Sequence, residues 1–345
     1  MKEKLKFSVC IPNYNYGSYI DKTIQSVLNQ NYEEFEIIIA DNKSTDNSLS
    51  IIDSFKDKRI KVIKNNYNVG FAANLDIATE SASGDFIILL SSDDIMKNNA
   101  LENYAKTIKE LKFNDNLVLF SGYDLIDGNG KFLSSRNALN DNIRIHGKSK
   151  IISFKNYDMV KGKEVQEILF SSALSSPGQF CTTCYSKNLY DIVHGYRSST
   201  LIMPDATFMH KIGFTDADFI YVKKSLFQYR NHNSNNLSSV NKIEDIRLLT
   251  DKYAITQLNS NEDLKKINLT KKKLQYNFIK HYCINVPFYS FFRLNYLKSY
   301  HHTFFGLASY PKEMFKFWKF YFNIIFLPLL LIIYCTMKLF SSLKD

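Results

Sequence analysis

Four short apolar runs that alternate with three amphipathic stretches confine the start of this chain to one kind of architecture. The runs are Leu5–Ile11, Phe35–Ala40, Ile60–Lys64 and Phe86–Leu90; the stretches between them are Ser18–Asn29, Asn47–Phe55 and Phe71–Ser81. Strands alternating with helices of about ten residues are βαβ units, and these imply a parallel sheet covered by helices. Ligands of such sheets gather beyond the C-terminal ends of the strands. Here those ends carry Pro12–Tyr14, Asp41–Asn42 and Asp93–Asp94, a layout suited to a nucleotide. The first run is expected to stop at Pro12. The fourth is the most pointed, because Ser91 and Ser92 lead into two adjacent carboxylates. Such a pair can hold a hard divalent cation that bridges substrate phosphates, or it can open a turn and cap a helix beginning near Asn98. No Gly-x-Gly-x-x-Gly or Walker sequence accompanies the strands, which disfavours dinucleotide and P-loop sites.

The net charge of +10 would suggest a nucleic-acid partner if it were spread over a folded face. It is not. From Leu264 onward there are 13 Lys and Arg against only Glu313 and Asp345, so the first 263 residues are near neutral. The basic end therefore points to an anionic surface that this end alone meets, and nucleic acid is not expected. Five scattered cysteines, and a start with no apolar leader, suggest a reduced, cytosolic setting. Cys181-Thr182-Thr183-Cys184 lacks a second pair for zinc and reads as ordinary strand cysteines.

Taken in order, Ser8-Val9-Cys10-Ile11-Pro12-Asn13-Tyr14-Asn15, Asp41-Asn42-Lys43-Ser44-Thr45-Asp46, Asn68-Val69-Gly70 leading to Asn74, and Gly84-Asp85 through Ser92-Asp93-Asp94 resemble the successive signatures of family 2 glycosyltransferases. The resemblance covers about the first 240 residues. It implies the GT-A fold, a Rossmann-like, mostly parallel α/β sheet that binds nucleotide-diphospho-sugars. It further implies that Pro12, Tyr14 and Asn15 lie on the donor side, with Asp41 and Asn42 at the base and ribose. The family often has a second Asp where this chain has Asn42, and an amide can present a donor or an acceptor, so UDP and dTDP donors both stay open. The family's DxD motif corresponds to Ser91-Ser92-Asp93, with Asp93 as ligand of Mg²⁺ or Mn²⁺. Ser91 removes the first carboxylate, and Asp94 is a candidate second contributor.

The helix Leu101–Leu111 and strand Leu117–Phe120 continue the pattern, the polar stretch 128–178 reads as an acceptor-side loop, and strand character returns at Gln179–Ser186. Asp205, in Met203-Pro204-Asp205, matches the family's catalytic base, which removes the acceptor's hydroxyl proton during a single inverting displacement. Tyr229-Arg230-Asn231-His232 resembles the closing segment of the family domain. There Arg230 can neutralise a leaving diphosphate, and His232 can donate to phosphate or ligate the cation.

These readings divide the chain into a catalytic domain, 1–240, with a nucleotide half (1–127) and an acceptor half (128–240); a basic, aromatic helical extension, 241–319; and a hydrophobic anchor or interfacial helix, 320–340. Phe320–Met337 is an uncharged run of 18 residues, near the short limit for a membrane span. The expectation is a transferase on the cytoplasmic face of the membrane, acting on a lipid-linked, polyprenyl-diphosphate-type glycan in O-antigen or capsule assembly. One anchor-like segment fits a single transfer better than processive synthesis. A nucleotidyltransferase would show a Gly-rich basic loop at Pro12–Ser18, which is missing. A degenerate binding protein without turnover is kept open by Ser91 and Pro204.

Overall fold

The computed structural model describes residues 4–139, 143–144, 147–171, 176–196 and 204–232, and towards the C-terminus residues 272, 276, 279–285, 288, 296–322 and 325. They belong to two compact units, one of residues 1–168 and 176–235, the other of residues 169–175 and 236–345.

In the first unit the anticipated alternation is present: β1 (Phe7–Asn13), α1 (Ile20–Leu28), β2 (Phe35–Asp41), α2 (Ser48–Ser54), β3 (Ile60–Lys64), α3 (Phe71–Glu80) and β4 (Phe86–Leu89). These strands pair in parallel in the order β3-β2-β1-β4, with Asn13 opposite Asp41 and Asp41 opposite Lys64. Their C-terminal ends therefore share one edge. All seven residues of β1 and all four of β4 are buried, as expected for strands covered on both faces. The apolar stripe of α1, Ile20, Ile24 and Val27, packs into the same core as Val9, Ile37 and Ile88. Each such side chain contributes about 1.5–3 kcal/mol by burial.

Strand β1 runs through Pro12 rather than stopping at it. Its pairing with β4 ends at Cys10, so the missing N–H breaks no bond on that side. Beyond β4 come β5 (Ile95–Met96), α4 (Ala100–Glu110), β6 (Leu117–Asp127), β7 (Phe132–Arg136), β8 (Ile152–Ser153), β9 (Tyr157–Lys161), α5 (Gly162–Ser171), β10 (Cys184–Ser186), α6 (Lys187–Ile192), α7 (Pro204–Gly213) and β11 (Asp218–Asn231). The sheet continues as β4-β10-β6-β11-β9-β8, with β10 antiparallel to both neighbours and β11 parallel to β6. Within 128–178, β9 pairs with β11 along five residues. Cys184 lies in β10 and Cys181 in the 3₁₀ turn before it; both are buried free thiols.

The described part of the second unit holds a π-helical turn, Ile279–Asn285, and two helices, α8 (Tyr296–Ser309) and α9 (Pro311–Met314). Ile279, Cys283, Ile284, Met314 and Phe320 form its small core. Among the described residues no helix is long and apolar enough to cross a membrane. Most of the 320–340 segment assigned as an anchor lies outside the described residues.

Candidate active site

The strand ends on the shared edge carry two loops built on different chemistry. In the first, Asp41 is fully buried and saturated by neutral donors. Its Oδ1 accepts from the Ser44 N–H (2.9 Å), and its Oδ2 from the Asn13 amide (2.8 Å) and the Ser44 hydroxyl (2.6 Å). Asn15, in the left-handed region at φ 60°, accepts from the Thr45 N–H at 2.7 Å. Tyr14 stays exposed at the rim. Asn42 is oriented without ambiguity: its carbonyl accepts from the Val69 N–H at 2.8 Å, which can only donate, so its amide nitrogen faces Asn68 Oδ1 at 2.8 Å. Both ends of the Asn42 amide are thus engaged within the protein.

In the second loop charge is buried. The Ser92 hydroxyl donates to the Pro12 carbonyl at 2.8 Å and ties the loop to β1. The Thr23 hydroxyl, from α1, lies 2.9 Å from the carbonyls of both Ser92 and Asp94. β5 pairs with Phe227 and Gln228 of β11, which brings Arg230 and His232 alongside. Asp93 Oδ2 then meets His232 Nε2 at 2.9 Å, with both side chains only 6% exposed. The imidazole is framed by the rings of Tyr19 and Tyr16, 4.7 and 6.2 Å between centroids.

Arg230 lies on β11 and Asp94 in the loop itself. Arg230 is 1% exposed, and its guanidinium donates to backbone: Nε to the Asp93 carbonyl (2.8 Å), Nη1 to those of Gly128 (3.2 Å) and Asp127 (3.3 Å). It braces the loop from within. Asp94, offered as a second metal ligand, is fully buried, and its Oδ1 accepts from the Arg230 N–H at 2.8 Å. Burial holds the Asp93 carboxyl above its ordinary value, against the pull of His232 and Arg230. Burial, and then the charge of Asp93, pushes Asp94 well above its own.

Asp205 lies one residue after Pro204 in the first turn of α7 and is half-buried. Sequence reasoning passed over the residue that ties this helix to the nucleotide half. Asp76, on α3, is fully buried, and its Oδ1 accepts from the Tyr190 hydroxyl (2.6 Å) and the Tyr196 N–H (2.8 Å). Gly195 between them has φ 66°, and a Cβ there would sit 2.5 Å from that same oxygen. Lys211, six residues beyond Asp205 on α7, donates to the Gly195 carbonyl at 3.0 Å. The available signal was an acid beside Leu75 and Ala78 on the buried face of a helix.

Among the described residues no three His, Cys, Asp or Glu side chains gather as a cation cage. Asp93 and His232 nonetheless offer a carboxylate oxygen and an imidazole nitrogen side by side. Such a pair fits a cation that arrives with a diphosphate supplying further oxygens, as Mg²⁺-type sites commonly use one or two carboxylates plus substrate phosphates.

The parallel half of the sheet, β3-β2-β1-β4, thus brings the Asp93 loop after β4 against His232 just beyond β11. Residues 8–164 match the sequence model of Glycosyl transferase family 2. The chain is 26% identical over 225 residues to Glycosyltransferase GlyG of Streptococcus pneumoniae, 65% of this chain and 70% of that one. Over 130 residues it is 36% identical to the UDP-Glc:alpha-D-GlcNAc-diphosphoundecaprenol beta-1,3-glucosyltransferase WfgD of Escherichia coli, 37% of this chain and half the length of that relative. Among solved structures, TarS of S. aureus in complex with UDP-GlcNAc superposes with a TM-score of 0.57 at 20% identity, covering 80% of this chain and 73% of TarS, a likeness of fold.

Proposed function

We propose that this chain is an inverting glycosyltransferase that moves a sugar from a UDP- or dTDP-linked donor to a hydroxyl of a polyprenyl-diphosphate-linked glycan. The setting is assembly of a bacterial surface polysaccharide, of O-antigen or capsule type, at the cytoplasmic face of the membrane. The observation that carries the reading is the Asp93–His232 pair, held on the edge where β1, β2 and β4 end. WfgD, by its name, takes a UDP-sugar and a diphosphoundecaprenol-linked acceptor, which supports both substrate classes.

In this reading Pro12, Tyr14 and Asn15 border the base, with the exposed Tyr14 ring available to stack on it. Asp41 and Asn42 fix the loop beneath, and Ser92 and Arg230 hold Asp93 in place. Asp93 and His232 would hold Mg²⁺ or Mn²⁺, which, when bound, offsets charge on the donor's diphosphate. Asp205 takes the proton of the acceptor hydroxyl as that oxygen bonds to the anomeric carbon and the bond to the diphosphate breaks, inverting the centre.

A thermal-shift screen of the full chain with UDP, dTDP, GDP and CDP, each with and without Mn²⁺, tests the donor half. One metal-dependent stabilisation is expected, growing as RT ln(1 + [L]/Kd). No shift with any of the four, on folded protein, favours the degenerate binding protein instead. For the acceptor half, Asp205→Asn keeps the donor-induced shift and loses transfer by at least about a hundredfold; full retained transfer removes Asp205 from the role.

A further inference from the structure

In the second unit, the described stretch from Pro311 to Tyr321 carries apolar side chains both towards its core and towards solvent. Met314 and Phe320 face the core with Ile279, Cys283 and Ile284, and the half-buried Phe317 packs against them. Trp318, Tyr321 and Ile325, at helical positions and spaced three and four residues apart, are 67%, 48% and 63% exposed. That spacing puts them on one face. Phe315 joins them, half-exposed, with its ring 6.3 Å from that of Tyr321. Lys312 and Lys316, close in sequence, are exposed, and Lys319 Nζ lies 5.9 Å from the Trp318 ring. Water-soluble surfaces rarely leave large aromatic side chains clustered in the open.

We propose that Phe315, Trp318, Tyr321 and Ile325 seat this unit in the headgroup layer of an anionic bilayer, with Lys312 and Lys316 against the lipid headgroups. Two features favour a lipid surface over a protein partner. Indole and phenol rings flanked by lysine combine an apolar body with a polar tip, which suits the water–lipid boundary. The segment from Leu264 onward also carries 13 basic residues against two acidic ones, a charge complementary to acidic lipid. This deepens the proposed reaction at a membrane-linked acceptor and rests on that reading only for its setting. The contact lies in the plane of the membrane.

Trp318 is the chain's single tryptophan, so its fluorescence reports on this face alone. The full chain is mixed with vesicles of phosphatidylcholine, with or without phosphatidylglycerol, and with matching vesicles containing brominated lipid. Trp318 emission should shift to the blue and be quenched by bromine near the headgroups, chiefly in the anionic vesicles. Lys312→Gln with Lys316→Gln should weaken partition at least about tenfold. Phe315→Ser with Tyr321→Ser should weaken it too, while the nucleotide-induced thermal shift of both variants stays intact. Flotation with vesicles while Trp318 remains unquenched would overturn the proposal, as would no binding at all. A blue shift without lipid that grows with protein concentration would assign the face to a second copy of the chain. Because the readout needs no turnover, its failure is distinct from a failure of the donor screen.

Discussion

The loops after β2 and β4 leave the same edge of the sheet, each with a buried carboxylate at its strand end, and they use that carboxylate in opposite ways. Asp41 is enclosed by three hydrogen bonds from an amide, a hydroxyl and a backbone N–H, all supplied within its own loop and by Asn13. Asp93 is as buried, yet its neighbours are ionisable: His232 touches it, Asp94 follows it, and Arg230 holds its carbonyl. A carboxylate braced by neutral donors fixes a loop, whereas one raised in pKa beside an imidazole remains available to a cation. Burial alone does not separate the two roles; the identity of the partners does.

The largest effect that would break this contrast concerns Arg230. If its task is to brace the second loop, Arg230→Met leaves the Asp93 and Gly128 carbonyls without their donor and two buried carboxylates without the guanidinium beside them. The expected loss is about 3–5 kcal/mol in urea unfolding, the range for removing one partner of a buried charged group. Lys should recover little of it, since an ammonium cannot reproduce the planar fork that reaches Asp93, Gly128 and Asp127 together. A stable Arg230→Met chain that merely binds donor weakly would return Arg230 to the phosphate role expected from sequence.

Next comes the direct exchange of the two acids. Asp41→Asn sets an amide nitrogen against the Asn13 donor and should cost about 1–3 kcal/mol, the range for a buried unsatisfied group. Asp93→Asn should cost no stability at pH 7 in EDTA, because a folded pKa raised above its unfolded value means that ionisation opposes folding. By the same sign, the metal-free wild-type chain gains stability from Asp93 as pH falls through the raised value towards the ordinary one. Asp93→Asn should instead abolish the Mn²⁺-dependent part of the nucleotide shift. Equal destabilisation by both substitutions would erase the distinction.

How much of this could be read from sequence follows from the range of the interactions. Strands β1 to β4 are near-continuous apolar runs, so their existence and order were legible, as was the convergence of Asp41 and Asp93 on one edge. Strand β11 was not anticipated: its 14 residues include Lys223 and Lys224 and two register shifts against β6, which spoil the alternation. With that strand unseen, the bond from the Arg230 N–H to Asp94, 136 residues away in sequence, could not be inferred. Thr23 and Asn13 were passed over for the same reason. Each is a small polar residue in an apolar element, and its partners come from distant loops. Asp76 carried a visible signal, an acid on a buried helix face, but no local pattern names Tyr190 or Gly195 as its partners.

The smallest effect supplies a control at the opposite end of the same strands. Glu36, next to the start of β2, is partly buried; burial raises its carboxyl, but bonds from the Ser8 hydroxyl, the Ser83 N–H and hydroxyl, and Lys6 together outweigh it and leave the pKa lowered. Its sign is therefore opposite to that of Asp93. A lowered folded pKa contributes stability at neutral pH that is lost as pH falls through the folded value. Glu36→Gln should accordingly cost roughly 1 kcal/mol at pH 7, in line with a few partly exposed hydrogen bonds to a charged group, and almost nothing near pH 3. Urea unfolding of wild type and variant at both pH values measures the difference. A gap that persists at low pH would mean that Glu36 acts through shape and not charge, and acid titration could then no longer separate braced carboxylates from poised ones in this sheet.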